Sequence, residues 1–218
     1  MRRGRRQPAR PFAVDGAAAA SRLAHNEHMR EDLREELARR TEADQQVRNA
    51  WLAITSTRHS DPAGRDGAAG TDAADPAERE VLADRMREID ADNTAWLRAV
   101  IAEHGWPGET LVGPVGASDA WLIAQHADHD PEFQAECLEL LRAAVVAGDA
   151  STRHLAYLTD RVLCARDEPQ IYGTQFWRGP QGTDALGPRP IADPEHLDAR
   201  RAAAGLEPFA TYLAHMTA

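Results

Sequence analysis

The chain has 218 residues, a formal net charge of −10 and a pI of about 5.3, a length that suits one domain with a sizeable core. This acidic balance excludes a general binder of phosphate backbones, and no apolar run approaches the roughly 18 residues of a membrane span. The sequence contains no lysine, so Schiff-base, pyridoxal-phosphate and P-loop lysine chemistry are excluded, and with no GxSxG elbow serine-hydrolase chemistry has no support.

Residues 1–11 are basic but lead into no apolar stretch long enough for a secretory signal, so a disordered basic tail is expected, running to about residue 17. From about Ala18 to Ile54 the pattern is helical. Met29, Leu33 and Leu37 recur at four-residue spacing, Val47, Trp51 and Ile54 continue the stripe, and Glu31, Arg34, Glu35 and Arg39 fill a solvated face. Residues 56–74 are rich in Gly, Ala and Asp, too poor in apolar surface to offset the entropy of ordering, and are expected to form a flexible loop.

Asp75-Pro76 then opens a helix, with the aspartate accepting from free N–H groups and proline in the first helical position. The dipeptide recurs at Asp130-Pro131 and Asp193-Pro194, and the three patterns end at Gly105, Gly148 and Gly205, as left-handed caps do. The first of these helices carries Leu82, Met86, Ile89, Trp96, Leu97, Val100 and Ile101 on one stripe, with Asn93 among them. His104 near its end suits the helix dipole, a structural role.

The stretch 116–130 is the centre of the chain. Ala120 to Ala124 have no polar face, which requires burial on all sides, and the run then turns abruptly polar at Gln125 and His126, ahead of Asp128, His129 and Asp130. Pro131 to Val146 is amphipathic through Phe133, Cys137, Leu138, Leu141 and Val145, and Ser151 to Ala165 through Leu155, Leu158, Val162 and Leu163. Asp160 is a poor helix former in the middle of the latter, beside Arg161. Residues 168–192 have strand propensity and a Gly179–Gly182 turn signal, predicting a hairpin that gathers Gln170, Tyr172 and Gln175. Two short helices close the chain. The predicted fold is a mainly α single domain over 18–218, with six to seven helices and a small β-hairpin. Cys137 and Cys164 form no CxxC, which points to a reduced cytoplasmic protein.

Several segments together resemble a bacterial family known as domain of unknown function 6624. They include His104-Gly105-Trp106-Pro107, Ala120-Trp121-Leu122, Gln125-His126-Ala127-Asp128, Leu155 to Val162, Gln170 to Gln175, Pro190 to Asp193 and Asp198-Ala199-Arg200-Arg201. The resemblance covers roughly residues 28–213 and implies a family without implying a reaction.

Three chemistries compete. In the first, the protein is a small bacterial enzyme of specialised metabolism, without a cofactor, acting on a polar or carboxylate-bearing small molecule. His126 transfers protons, Asp160 orients its ring and Tyr172 donates to a developing oxyanion. Arg161 clamps an anionic group, while Gln125, Gln170, Gln175 and Trp106 contact the ligand. The bland counterpart is a buried His126–Asp160 pair that only braces the fold. The second chemistry is a divalent metal ion held by His104, His126, Asp128, His129 and Asp160, as in a metal-dependent hydrolase or an HD-like phosphohydrolase. The third is a non-catalytic helical module that binds a ligand or a protein. None of the three takes nucleic acid or membrane as partner.

Overall fold

The computed structural model describes residues 16–56, 75–178 and 186–217. The tail expected at 1–17 and the loop expected at 56–74 lie outside the described residues, apart from Gly16, Ala17 and Ser56 at the ends of the first helix. The Gly179–Gly182 turn lies outside them too. The described helices are α1 (Gly16–Ser56), α2 (Pro76–His104), α3 (Glu109–Gln125), α4 (Pro131–Val146), α5 (Thr152–Ala165), α6 (Leu197–Ala203) and α7 (Phe209–Thr217). Strands β1 (Phe176–Arg178) and β2 (Leu186–Pro188) pair antiparallel between α5 and α6, with Trp177 opposite Gly187. The fold is mainly α with a small hairpin, as expected.

Helix punctuation follows the Asp-Pro and Gly signals closely. Asp75 Oδ1 accepts from the Ala77 N–H at 3.0 Å and Asp130 Oδ1 from the Phe133 N–H at 3.1 Å, each with proline in the first turn. Gly105, Gly148 and Gly205 have φ of 76°, 72° and 71°, a region that costs a side chain about 1–2 kcal/mol. The third Asp-Pro behaves differently. Asp193 itself has φ 45°, and its carboxylate accepts from His196 and Arg200 instead of the backbone. It opens a single 3₁₀ turn, Pro194–His196, ahead of α6.

α3 lies against α1, α2, α4 and α5. Ala120, Ala124 and Ala127 are completely buried and Ile123 nearly so. Trp121 is half-buried, its ring stacked on His154 with centroids 4.2 Å apart. A Cβ at Gly116 would fall 2.8 Å from Val112 Cβ within α3 itself, while Leu37 Cδ1 on α1 would lie at an ordinary 3.5 Å. Leu37, Leu97, Phe133, Leu141 and Leu158 complete this core, each worth about 1.5–3 kcal/mol when fully buried.

α3 starts earlier than its apolar run suggests. Asp149, between α4 and α5, caps it from outside: its carboxylate accepts from the Thr110 N–H at 2.6 Å and its carbonyl from the Glu109 N–H at 2.9 Å. Gly113 (φ 74°, ψ 171°) then breaks the helix just ahead of Pro114, whose ring opposes helical geometry in the residue before it. α3 is therefore one short turn followed by the buried rod that carries His126 at its end.

Candidate functional site

At the C-terminal end of α3 the His126 ring meets a carboxylate from α1. His126 Nδ1 lies 2.9 Å from Asp44 Oδ2. Asp44 Oδ1 accepts from Arg48 Nε at 2.8 Å, and Arg48 Nη2 donates to Asp90 Oδ1 on α2 at 2.6 Å. Three helices thus contribute to one chain of charges, His126–Asp44–Arg48–Asp90. The Asp44 side chain is 4% exposed and that of His126 16%, so the carboxylate is sealed while the ring keeps an edge toward solvent. Burial pushes the Asp44 carboxyl up, but the hydrogen bond and charge of His126 and the charge of Arg48 outweigh it and bring it down to about 2. Asp90 moves the other way, because burial pushes it up more than Arg48 draws it down.

A carboxylate held ionised can only accept, so the proton of the shared hydrogen bond belongs to Nδ1. In the neutral ring Nε2 then carries the lone pair, and among the described residues it has no hydrogen-bond partner. Asp44, Asp90 and His126 also each offer a ligand atom within 4.8 Å of the others, the one such trio among the described residues. Of the metal set expected from the sequence, only His126 belongs to it. Asp128 is taken by Arg161, Asp160 by the backbone, His104 lies beside Glu103 and His129 is exposed. Arg48 sits between the two aspartates and supplies a positive charge there.

Asp160 does not orient His126. It is completely buried on α5, where its two oxygens accept from the N–H groups of Ile171 (2.7 Å), Tyr172 (3.0 Å) and Thr174 (2.9 Å) and from the Thr174 hydroxyl (2.9 Å). Burial pushes its carboxyl up, and these four donors oppose the shift. Gln170 works alongside it. Its side chain accepts from the Gln175 N–H and donates to the carbonyls of Gln175 and Arg189, while its backbone bonds to Pro190 and Ala192. From α6, Arg200 holds the Ile171 carbonyl and buried Arg201 the Tyr172 carbonyl. The Tyr172 ring packs with Tyr157 against Ala156, Ala204 and Leu206. Asp160 and the 170–175 turn therefore form a brace that pins the hairpin to α5 and α6.

Arg161 and Gln175 line a cavity of about 320 Å³ with Asp128, Cys164, Phe176 and Arg189, near the lower end of ligand-pocket volumes, but His126, Asp160, Gln170 and Tyr172 are not in its lining. The Arg161 fork is engaged within the protein through all three of its nitrogens: Nε and Nη2 bind the Asp128 carboxylate, and Nη1 donates to Gln175 Oε1 at 3.0 Å. Burial raises the Asp128 carboxyl, but Arg161 outweighs it, and the charge on His126 lowers it further. Gln125 and Trp106 lie elsewhere, on the core side of α3 and its preceding loop. Gln125 Oε1 and Trp106 Nε1 are buried without a hydrogen-bond partner among the described residues.

The ordered motifs 104–107, 120–128, 155–162 and 170–175 thus map onto the α2 end, the buried rod, α5 and the brace. The family model described as "Family of unknown function (DUF6624)" matches residues 31–217. The chain belongs to this family. No curated protein and no solved structure matches it. Among the described residues of this DUF6624 chain, no helix is long and apolar enough to cross a membrane.

Asp44, Arg48 and Asp90 are inconspicuous in the sequence because Asp44 and Arg48 are an ordinary i, i+4 pair on a helix dense in charge. A signal is nonetheless present. Leu33, Leu37, Arg40, Asp44, Val47 and Trp51 follow each other at spacings of four and three, so Arg40 and Asp44 occupy inward positions of an apolar stripe. Both are buried, and Arg40 is held there by Glu36, Asp92, Asn93 and the face of Trp96.

Proposed function

We propose that the chain is an enzyme that uses the His126–Asp44 pair for general acid–base catalysis on a small polar or anionic metabolite. One observation carries this: a sealed carboxylate lies 2.9 Å from Nδ1 of a partly exposed imidazole, leaving Nε2 without a partner among the described residues. In that arrangement the ring takes a proton at Nε2, and Asp44 stabilises the imidazolium that forms, a division of labour worth about 10²- to 10⁴-fold in rate. Arg48, anchored by Asp90, holds Asp44 in register as a positioning residue. The two free, buried cysteines support a reducing compartment, and the setting proposed is the bacterial cytoplasm, in specialised metabolism. The net charge of −10 supports a small-molecule partner over nucleic acid.

The test does not depend on which substrate is turned over. Metabolite extracts are incubated with the wild-type protein, His126→Gln and Asp44→Asn, and compared by untargeted mass spectrometry. Masses consumed by the wild type should persist with His126→Gln, and should disappear about 10²- to 10⁴-fold more slowly with Asp44→Asn. Turnover by His126→Gln at the wild-type rate overturns the proposal. So does a wild-type protein that consumes nothing.

A second reading is favoured by the 4.8 Å grouping of Asp44, Asp90 and His126, in which a divalent cation serves as Lewis acid for hydrolysis. It requires the cation to displace Arg48 from between the two carboxylates. Elemental analysis of the purified protein separates the two: a stoichiometric metal that Asp90→Asn removes supports this second reading over the first.

A further inference from the structure

Two arginines line the cavity between α5 and the hairpin, and their charges are spent differently. Arg161 and Asp128 neutralise each other through a two-point contact, and Gln175 is committed at both ends, accepting from Arg161 and donating to Thr174 Oγ1 at 3.1 Å. Arg189 is different. Its carboxylate contact among the described residues is Asp167 at 3.5 Å, on a side chain 95% exposed, where water and salt compete effectively.

The position of Arg189 is nevertheless rigid. Its N–H donates to the Gln175 carbonyl at 3.0 Å, its carbonyl accepts from Gln170 Nε2 at 2.9 Å, and its guanidinium lies over the Trp177 ring at 4.7 Å. A stacked guanidinium attached to a braced backbone presents its N–H edge with little rotamer freedom left to lose. The brace thereby acquires a purpose: Asp160, Gln170 and Thr174 fix the strand ends from which Arg189 projects.

The geometry points to an anion-binding subsite in this cavity, with the Arg189 guanidinium gripping a carboxylate or phosphate group of a small molecule through paired hydrogen bonds. The local charge supports it, since Arg161 and Asp128 cancel and Arg189 is left. Cys164 and Phe176 supply the apolar wall. The cavity borders the loop that carries His126, through Asp128 two residues later. Assigning the bound anion to the substrate rests on the His126 proposal, but the binding itself does not.

Isothermal titration calorimetry with inorganic phosphate and, separately, with succinate tests the subsite, using the full-length wild type, Arg189→Gln, Arg189→Lys and His126→Gln. At least one probe should bind the wild type, and Arg189→Gln should weaken it about tenfold or more. Arg189→Lys should fall between, keeping charge without the fork, and His126→Gln should match the wild type. Nitrogen-15 spectra of the arginine side chains locate the site: the Arg189 Nε–H resonance, identified by its loss in Arg189→Lys, should move on titration. Binding of phosphate alone assigns a phosphate group, and of succinate alone a carboxylate. The inference is overturned if neither probe binds the wild type, or if Arg189→Gln binds as tightly. A failure of the His126 proposal would appear in turnover and leave these isotherms unchanged.

Discussion

Asp44 and Asp160 are the same side chain, both buried within helices, yet they are held by opposite kinds of partner. Asp160 receives three backbone N–H groups and a hydroxyl, donors that never titrate and that cannot move without unfolding the 170–175 turn. Asp44 is shared between an arginine, an imidazole and the Gln45 amide, and an imidazole, unlike a backbone N–H, can take up and release a proton. A carboxylate saturated by backbone is a strut. A carboxylate that feeds a titratable ring with one free nitrogen is equipped for proton transfer. Burial alone does not separate the two, whereas the identity of the donors does.

The sharpest way to break this contrast is to remove the strut. Asp160→Ala strands three main-chain N–H groups and a hydroxyl, and should cost about 3–5 kcal/mol, read from urea unfolding at pH 7. The hairpin and α6 should loosen first, visible as faster amide exchange at Ile171, Tyr172 and Thr174. A loss under about 1 kcal/mol would show that Asp160 is not a strut and that the distinction between the two aspartates fails.

How far the sequence discloses the molecule differs between these two regions. Helix limits are legible because their signals are local: Asp75-Pro76, Asp130-Pro131, Gly105 and Gly148 act on backbone groups within one turn of themselves. His126 is legible because an apolar run delivers it. The role of Asp160 is hidden, since its partners are main-chain N–H groups that have no residue identity. Its odd mid-helix position announces a reason without saying which. Asp44 and His126 are 82 positions apart, and only the packing of α3 across α1 makes them neighbours. Arg161 shows the reverse error. A guanidinium beside a cavity suggests a substrate clamp, but Asp128 has claimed it.

Acid titration sharpens the comparison at smaller scale. The Asp44 carboxyl sits at about 2 in the fold against an ordinary 3.8. A carboxyl depressed on folding stabilises fully above its unfolded value, and that contribution is lost as pH falls through the folded value. Asp44 therefore contributes about 2 kcal/mol above pH 5, roughly half of it by pH 3 and almost none below pH 2. The stability gap between wild type and Asp44→Asn, measured by urea unfolding, should close over that window. A gap that stays constant from pH 6 to pH 3 would mean that Asp44 is not held ionised by its partners.

The smallest stability effect is expected at the residue on which the proposed function rests. In His126→Gln the amide N–H₂ of glutamine can donate to Asp44 where Nδ1–H does now, and Arg48 retains its own bond to Oδ1. No donor is stranded and little apolar surface is lost, so unfolding should shift by less than about 1 kcal/mol. The ring proton exchange, by contrast, disappears completely, because an amide has no basic nitrogen near neutral pH. Nitrogen-15 spectra of the wild-type ring should show the Nδ1–H tautomer, and Asp44→Asn should redistribute the proton toward Nε2. If His126→Gln instead destabilises the fold as severely as Asp160→Ala, the imidazole is a strut as well, and Asp44 and Asp160 do one job in two places.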